Sequence, residues 1–213
     1  TSTDFVVAGG TVSLPNLAVL RYGSINLSSG GILTAPNLYD IDGASFVVTS
    51  GTTLSLPGVY SYSHGSTGSN QHRTWQAKNA GSRLELPNLQ QITGGTHYNA
   101  RHFITTEAGG VIDLSNTRQI VGSAGGDTNH RPIDITAPGA GSLIELDQLT
   151  HYADSNAYDF GNGMYSTLSA LNGAEITIPL LTEAIGVNVV VDGTSALPLD
   201  RFTRFTSGRI SVT

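Results

Sequence analysis

The chain has 213 residues, of which 26 are glycine, only 12% are charged and none is cysteine, and its net charge is −6. The acidic excess argues against a general nucleic-acid binder, which needs a dominant basic face. The lack of cysteine excludes a disulfide framework and a thiolate zinc site. No apolar run approaches the roughly 20 residues that a membrane-spanning helix needs.

A repeated motif begins at residue 9 and is followed along the chain. It reads GGTVSLPNL at 9–17, GGILTAPNL at 30–38, GTTLSLPGV at 51–59 and GSRLELPNL at 81–89, and weaker copies begin at 109, 141, 173 and 193. We call the first apolar residue after the glycines the anchor. The anchors are Val12, Leu33, Leu54, Leu84, Ile112, Ile144 and Ile176, and their spacings are 21, 21, 30, 28, 32 and 32 residues.

Each copy has the pattern of a short strand that ends at a corner. Aliphatic residues stand at the anchor and two residues later, with polar residues between them, which is the period of a half-buried strand. Proline follows three residues after the anchor at Pro15, Pro36, Pro57, Pro87 and Pro179. Because proline donates no hydrogen bond to a sheet, it is expected to mark the corner.

A second short strand is predicted before each glycine pair, as at 5–7, 25–27, 46–48, 133–135 and 187–191. The best candidate for a helix, near 153–170, is interrupted by Gly161 and Gly163. A unit of about 21 residues is too short for a strand–helix–strand crossover but suits one turn of a solenoid whose stacked turns share a continuous core. We therefore predict an all-β fold, a single-stranded parallel β-helix of about eight turns, forming one domain over 1–213.

The frame G-G-x-φ-x-φ-P-N-φ, where φ is apolar, resembles the repeat of right-handed, pectate-lyase-like parallel β-helix domains in large secreted or surface-exposed bacterial proteins. The resemblance implies an extracellular or cell-surface location and excision from a longer protein. The resemblance does not distinguish among the functions of adhesins, sugar-binding modules, polysaccharide lyases and glycoside hydrolases. A leucine-rich-repeat or receptor-L-type solenoid is the alternative fold, disfavoured by the lack of a regular helix and of an asparagine-ladder position at that repeat's spacing.

The longer spacings after Leu54 predict loop insertions on turns four to seven, collected on one face of the solenoid. All six histidines, the only tryptophan and the only lysine, Lys78, lie in this part of the chain. Counted back from the anchors, Arg73 and Arg101 share position −11, and Trp75 and Phe103 share position −9. Alternation predicts that these columns point outward.

The predicted outward stripe is a candidate ligand site. Its ligand-binding residues are expected to be Arg73, Trp75, Tyr98, Arg101, His102, Phe103, His130, Arg131 and Tyr165. Aromatic faces beside guanidinium groups suit a polysaccharide or cell-surface glycan with carboxylate or sulfate substituents. In the alternative interpretation, the long loops fold over this surface and Trp75 and Phe103 form a small satellite core.

Two further groups of oxygen-bearing residues stand out. Glu85, Asp113 and Glu145 follow successive anchors and should stack as an acid column, either as solvated polar positions, as an interface, or as a catalytic dyad. The segment with Asp154, Asn156, Asp159 and Asn162 resembles a calcium loop, but Tyr158 and Tyr165 replace two of its ligands. An oxygen-lined Ca²⁺ site remains an alternative there, and no other cofactor is expected.

The sequence thus favours a non-catalytic carbohydrate-binding or adhesive module, with no catalytic residues assigned. The first alternative is a polysaccharide lyase or glycoside hydrolase using Arg101 or Arg131 with His102, His130, Asp127 and Tyr98. The second is a structural or self-associating spacer, and the oligomeric state is left open. No nucleophile elbow, phosphate-binding loop or dinucleotide fingerprint is present.

Overall fold

The computed structural model describes residues 2–127, 129–154 and 164–213. All regular elements in these ranges are β-strands, and every strand pair is parallel, as predicted for an all-β solenoid. The strands fall into three stacks that the chain visits in rotation, so that neighbours in a stack come from successive turns. This arrangement fits a parallel β-helix.

The longest stack, which we call the long sheet, has nine strands in chain order. They are β1 (Asp4–Ala8), β3 (Ser24–Ser28), β5 (Ser45–Thr49), β8 (Arg73–Lys78), β11 (His102–Glu107), β14 (Ile133–Ala137), β17 (Ser166–Ala170), β20 (Val187–Val191) and β22 (Arg209–Val212).

The anchor residues form the second stack, which we call the anchor sheet. It contains a two-stranded part, β2 (Thr11–Ser13) and β4 (Ile32–Thr34), and a five-stranded part, β6 (Thr53–Ser55), β9 (Arg83–Glu85), β12 (Val111–Asp113), β15 (Leu143–Glu145) and β18 (Glu175–Thr177). The third sheet has six strands: β7 (Ser61–Ser63), β10 (Gln91–Thr93), β13 (Gln119–Val121), β16 (His151–Ala153), β19 (Glu183–Ile185) and β21 (Arg204–Thr206).

The core consists of columns of apolar side chains that run along the stack. The anchors Leu84, Ile112 and Ile144 are partners in register and are fully buried, which confirms the predicted anchor stacking. Each turn buries its apolar residues against the turns above and below, so the core is continuous rather than divided among repeats.

The glycine bends bring the backbones of successive turns into close contact. A Cβ on Gly110 would collide with the carbonyl oxygen of Ala77 in the preceding turn. The preceding Gly109 has a φ of 84°, a conformation that side-chain-bearing residues rarely adopt. The glycines before the anchor are therefore required by the bend, as the motif indicated.

The proline corners carry an asparagine ladder that sequence analysis did not identify. The side-chain Nδ2 atoms of Asn37, Asn88 and Asn116 donate to the carbonyl oxygens of Pro15, Pro57 and Pro87, at 2.6, 2.8 and 2.6 Å. These bonds occur at the corners that follow β4, β9 and β12, without any helix in the described residues. Each of these three asparagines therefore connects its turn to the preceding one, and two of them, Asn37 and Asn88, belong to a P-N pair.

We expect Asn88→Ala to lower the free energy of unfolding by about 1 kcal/mol, because the Pro57 carbonyl loses its side-chain donor. Asn26→Ala is the matched control, since the Asn26 side chain donates to Ser24 of its own strand, at 3.2 Å, rather than to another turn. Urea denaturation of both variants provides the comparison. Equal losses in the two variants would show that the corner asparagines do not stabilise turn stacking.

Candidate functional site

The connections from the third sheet to the long sheet differ greatly in length. A single residue, Gly186, joins β19 to β20, whereas 64–72, 94–101 and 122–132 join the corresponding strands of earlier turns. These long connections stack on one another through their backbones. The Asn70 N–H donates to the Tyr98 carbonyl at 2.8 Å, and the Asn99 N–H donates to the Asn129 carbonyl at 3.1 Å. The connections thus extend the stacked structure beside the long sheet.

The predicted columns on the long sheet are wrong by one residue. Arg73 pairs with His102 rather than Arg101, and Trp75 pairs with Ile104 rather than Phe103. The bend between β8 and β9 is longer by one residue than the bend between β11 and β12. Counting back from the anchors therefore places the two strands out of register, and alternation then assigns Trp75 to the wrong face.

Trp75 belongs to the main core. Its side chain is 0% exposed, and its ring centroid lies 5.8 Å from that of Phe46 and 4.6 Å from that of Tyr62. The indole Nε1 donates to the Ala44 carbonyl at 3.2 Å. The expectation of an outward Trp75 is therefore wrong, and so is the idea of a separate satellite core beneath the loops.

His102 is buried beside Trp75, with ring centroids 4.8 Å apart, and cannot be reached by a surface ligand. Neither of its ring nitrogens has a hydrogen-bond partner among the described residues. His64 is buried nearby, and its Nε2 lies 3.1 Å from the Arg101 carbonyl. Burial lowers the pKa of His64 to about 4 and moves the pKa of His102 well below its ordinary value. Both imidazoles are therefore neutral at pH 7.

Arg131 is also buried, with 3% of its surface exposed. Its guanidinium donates to the carbonyls of Gly95, Gly125 and Ser123 at 2.6, 2.7 and 3.0 Å. These carbonyls belong to two successive long connections, so Arg131 joins one connection to the other. Arg131 therefore does not lie on the predicted outward stripe, because it is buried and its two terminal guanidinium nitrogens donate to carbonyl oxygens within the protein.

Five side chains of turns four to six, in two groups of contacts, make up what we call the aromatic–arginine surface: His72, Arg101 and Phe103 in one group, and Tyr98 and His130 in the other. The Arg101 guanidinium carbon lies 4.7 Å from the centroid of the Phe103 ring, and His72 lies 5.8 Å from the same ring. Tyr98, which is 41% exposed, packs edge-on against His130 at 5.3 Å. His72 was not among the predicted ligand residues, although it precedes Arg73 in the sequence.

The other predicted surface residues lie outside this group. Arg73 is half-buried, and its guanidinium carbon lies 6.0 Å from the Tyr22 ring of an earlier turn. Tyr165 is 36% exposed, just before β17. Of the nine predicted residues, the structure therefore brings Arg101 into contact with Phe103, and Tyr98 into contact with His130.

Asp134 holds Arg101 in place over Phe103. The Arg101 Nη2 atom is 3.0 Å from one carboxylate oxygen of Asp134, and the Thr167 N–H donates to the other at 3.1 Å. Burial raises the pKa of Asp134, an effect that Arg101 opposes. Sequence analysis missed this aspartate, although a carboxylate between two isoleucines of a predicted strand signals an outward polar position.

The acid column stacks as predicted, with Glu85, Asp113 and Glu145 in register on neighbouring strands. Arg83 lies beside it, with its Nε 2.9 Å from Glu85 and its Nη2 3.6 Å from Glu145. Burial raises the pKa of Glu145, and the neighbouring Asp113 carboxylate adds to this effect. Arg83 thus compensates part of the negative charge, in agreement with solvated polar positions rather than an exposed catalytic pair.

The calcium-loop hypothesis falls largely outside the described residues, since Asn156, Asp159 and Asn162 are not among them. Asp154 is described and buried, and one of its oxygens accepts from the Ser166 N–H at 3.1 Å and the Ser166 hydroxyl at 2.9 Å. In the ranges that the structure describes, no three His, Asp or Glu side chains are placed to hold a metal ion.

A shallow groove of about 410 Å³ lies on the anchor-sheet side of turns one to three. It is lined by Pro15, Pro36 and Pro57 together with small residues that follow the anchors. Where later turns carry the acid column, these turns carry Ser13, Thr34 and Ser55, whose short side chains leave the groove open. The recurring prolines with small neighbours were the sequence signal for this concavity.

Comparisons with known proteins add no family to this description. No protein-family model matches the chain, and no match is found among curated proteins or solved structures. Nor does any helix in the described parts of the chain have the length and hydropathy needed to span a membrane. What the protein binds must therefore be inferred from its own side chains.

Proposed function

We propose that the protein is a non-catalytic carbohydrate-binding module of a secreted or cell-surface protein, and that an acidic polysaccharide binds on the aromatic–arginine surface. The module is a pectate-lyase-like β-helix of about eight turns, whose inserted loops on turns four to seven form one wall of the site. Adhesion to a glycan-bearing surface is the corresponding biological role.

The observation that carries the proposal is the arrangement of Phe103 and Arg101. The Phe103 ring is half-buried and the Arg101 guanidinium lies over it, 4.7 Å from its centroid, so the exposed part of the ring and charged donors stand at one place. The apolar face suits the C–H surface of a sugar ring, and the donors suit its carboxylate or sulfate group. Asp134 fixes the guanidinium, so little ordering of Arg101 is needed on binding.

The stacked turns provide a second argument. Neighbouring strands are about 4.8 Å apart, so side chains from successive turns form a row along the solenoid. Tyr98 and His130 come from successive long connections and form a second aromatic pair, in addition to Phe103 and His72. An extended chain of sugar units can therefore contact several aromatic side chains at once.

The catalytic alternative receives less support. Two of its candidates, His102 and Arg131, are buried, and Arg101 is paired with Asp134. Among the described residues, the remaining candidates Asp127, His130 and Tyr98 form no hydrogen-bonded acid–base pair, and Tyr98 and His130 meet only through packing of their rings.

We expect Phe103→Thr and Tyr98→Ala each to weaken binding to an acidic polysaccharide about tenfold, through loss of an aromatic contact. Threonine is suited to position 103, because Thr74 occupies the paired position on β8. The measurements are affinity electrophoresis and isothermal titration calorimetry with uronic-acid, sulfated and neutral polysaccharides. Tyr60→Ala is the matched control, since Tyr60 is 57% exposed and lies between the anchor and third sheets.

The charge preference is tested separately with the double substitution Arg101→Gln, Asp134→Asn. Replacing both partners avoids leaving a buried carboxylate unpaired. We expect the preference for acidic over neutral polysaccharide to disappear. Absence of binding to every polysaccharide tested, or equal losses with the Tyr60 control, would overturn the proposal.

A further inference from the structure

The Tyr22 ring lies across two glycines of the turns that follow it. A Cβ on Gly43 would stand 2.6 Å from the Tyr22 Cδ1 atom, and a Cβ on Gly65 would stand 3.0 Å from its Cε1 atom. Both glycines also have positive φ angles, of 68° and 60°, which other residues rarely adopt. The backbone of the neighbouring turns thus forms a seat for this ring, and yet Tyr22 is 41% exposed.

Arg73 lies over the Tyr22 ring, with its guanidinium carbon 6.0 Å from the ring centroid. The guanidinium donates to two neutral groups, the His72 carbonyl at 3.1 Å and the Gln71 Oε1 atom at 3.4 Å. In the described parts of the chain Arg73 has no ion-pair partner, whereas Arg101 has one. The positive charge of Arg73 is therefore uncompensated beside an exposed aromatic ring.

The pair of Tyr22 and Arg73 has the same composition as the pair of Phe103 and Arg101. In each pair a partly exposed ring lies under a guanidinium near the start of a long-sheet strand, β3 in the first pair and β11 in the second. Because β3, β5, β8 and β11 are neighbours in that order, three strand spacings, about 14 Å, separate the two pairs. A single sugar ring cannot span this distance, but an oligosaccharide that lies along the solenoid can.

The sheet face between the two pairs carries short side chains with hydroxyl groups. Thr74 on β8 is the register partner of Phe103, and its N–H donates to the Ser45 hydroxyl on β5 at 3.1 Å. Ser45 in turn pairs with Ser24 on β3. None of these side chains projects as far as an aromatic ring. A low, uncharged floor therefore connects the two pairs.

His72 shows that both arginines act on the same part of the surface. Its ring lies 5.8 Å from the Phe103 ring, and it directly precedes Arg73 in the chain. Burial lowers the pKa of His72, and the positive charges of Arg101 and Arg73 lower it further. Two guanidinium groups that influence one imidazole make this surface attractive to a ligand with repeated negative charges.

We propose that Tyr22 and Arg73 form a second subsite for the acidic polysaccharide, and that the protein selects chains long enough to occupy this subsite together with Phe103 and Arg101. The inference rests on the proposed carbohydrate function and narrows its ligand to an oligosaccharide with acidic groups at two separated positions. Tyr22 supplies an apolar surface and Arg73 supplies charged donors. When one chain fills both subsites, the second contact becomes intramolecular, and the affinity rises accordingly.

The first experiment measures affinity against ligand length, by isothermal titration calorimetry with disaccharides and hexasaccharides of a uronic-acid polymer and of a sulfated polymer. We expect hexasaccharides of the preferred polymer to bind the unaltered chain at least about tenfold more tightly than its disaccharides. Tyr22→Ala should weaken hexasaccharide binding about tenfold and change disaccharide binding by no more than about twofold. Tyr39→Ala is the matched control, since Tyr39 is 59% exposed but follows the proline corner after β4.

The second experiment tests the charge of the subsite with Arg73→Gln. We expect this variant to bind the acidic hexasaccharide more weakly and with a smaller dependence on salt concentration, because one charged contact is lost. Binding of the disaccharide should again change by no more than about twofold. Arg118→Gln is the control, since Arg118 is exposed next to β13 in the third sheet and should leave both the affinity and the salt dependence unchanged.

Circular dichroism and urea denaturation establish that each variant is folded before binding is compared. Equal affinities of the unaltered chain for disaccharide and hexasaccharide would overturn the second subsite. So would a loss in Tyr22→Ala that is the same for both lengths, since a purely structural role of Tyr22 predicts that result. Either outcome leaves binding at Phe103 and Arg101 intact, whereas absence of binding to every acidic oligosaccharide would overturn the proposed function as well.

Discussion

Trp75→Ala is expected to lower the free energy of unfolding by about 3–5 kcal/mol, the usual cost of removing a fully buried tryptophan. The substitution leaves a cavity between Phe46, Tyr62 and His102 and removes the donor to the Ala44 carbonyl. Because the chain contains no other tryptophan, unfolding is best followed by circular dichroism in urea rather than by fluorescence.

Two variants serve as controls for Trp75. Trp75→Phe should cost about 1–2 kcal/mol, since it keeps an aromatic ring but loses the hydrogen bond and some volume. Phe103→Thr, at the surface, should cost less than about 1 kcal/mol. A small loss for Trp75→Ala, comparable with that of Phe103→Thr, would contradict the core position of Trp75. The expected instability also means that loss of binding in Trp75→Ala would not identify a ligand contact.

Stability should fall as the pH is lowered from about 7 to about 5, with a contribution of about 2 kcal/mol from His64 alone. The pKa of His64 is about 4 in the folded protein, whereas an unfolded histidine has a pKa of about 6.5. Between these values the unfolded chain binds more protons than the folded chain, so acid favours unfolding. His102, buried beside His64 and near Arg73, acts in the same direction.

The measurement is the free energy of unfolding in urea at several pH values for the unaltered chain and for the double variant His64→Gln, His102→Phe. The difference between the two curves isolates the histidines, because carboxylates such as Asp134 titrate in both proteins. We expect the unaltered chain to lose at least about 2 kcal/mol more than the variant over this pH interval. Parallel curves would show that the two imidazoles titrate normally in the folded state.

The fold was predictable because its main determinants recur in the sequence. Alternation around Leu84, Ile112 and Ile144 predicted strands, and the glycines and prolines at fixed distances predicted the bends and corners. Recurrence at about one solenoid turn then predicted stacking, and the register of these anchors confirms it. The sequence showed that asparagine recurs at positions such as Asn88 and Asn116. It did not show their hydrogen-bond partners, because these lie in other turns.

The candidate site was less predictable because it depends on the lengths of individual bends. One extra residue between Lys78 and Arg83 moved Trp75 from the predicted outward column into the core. Residue type did not show whether Trp75 faces the core or the solvent, since tryptophan occurs both in cores and at sugar-binding surfaces. The acid column was predicted correctly because its residues directly follow the anchors, with no bend between them.

The sequence by itself determined the parallel all-β stack, its anchor columns and the positions of its glycine bends and proline corners. These features follow from the local period of apolar residues and from the backbone conformations that glycine and proline favour. Only the tertiary structure decided which side chains of the irregular turns face water. The packing of His102 against Trp75, the contact of Arg131 with the Gly95 carbonyl and the pairing of Arg101 with Asp134 all join residues from different turns or connections. Such contacts depend on register between distant segments, where a shift of one residue exchanges the inner and outer faces of a strand.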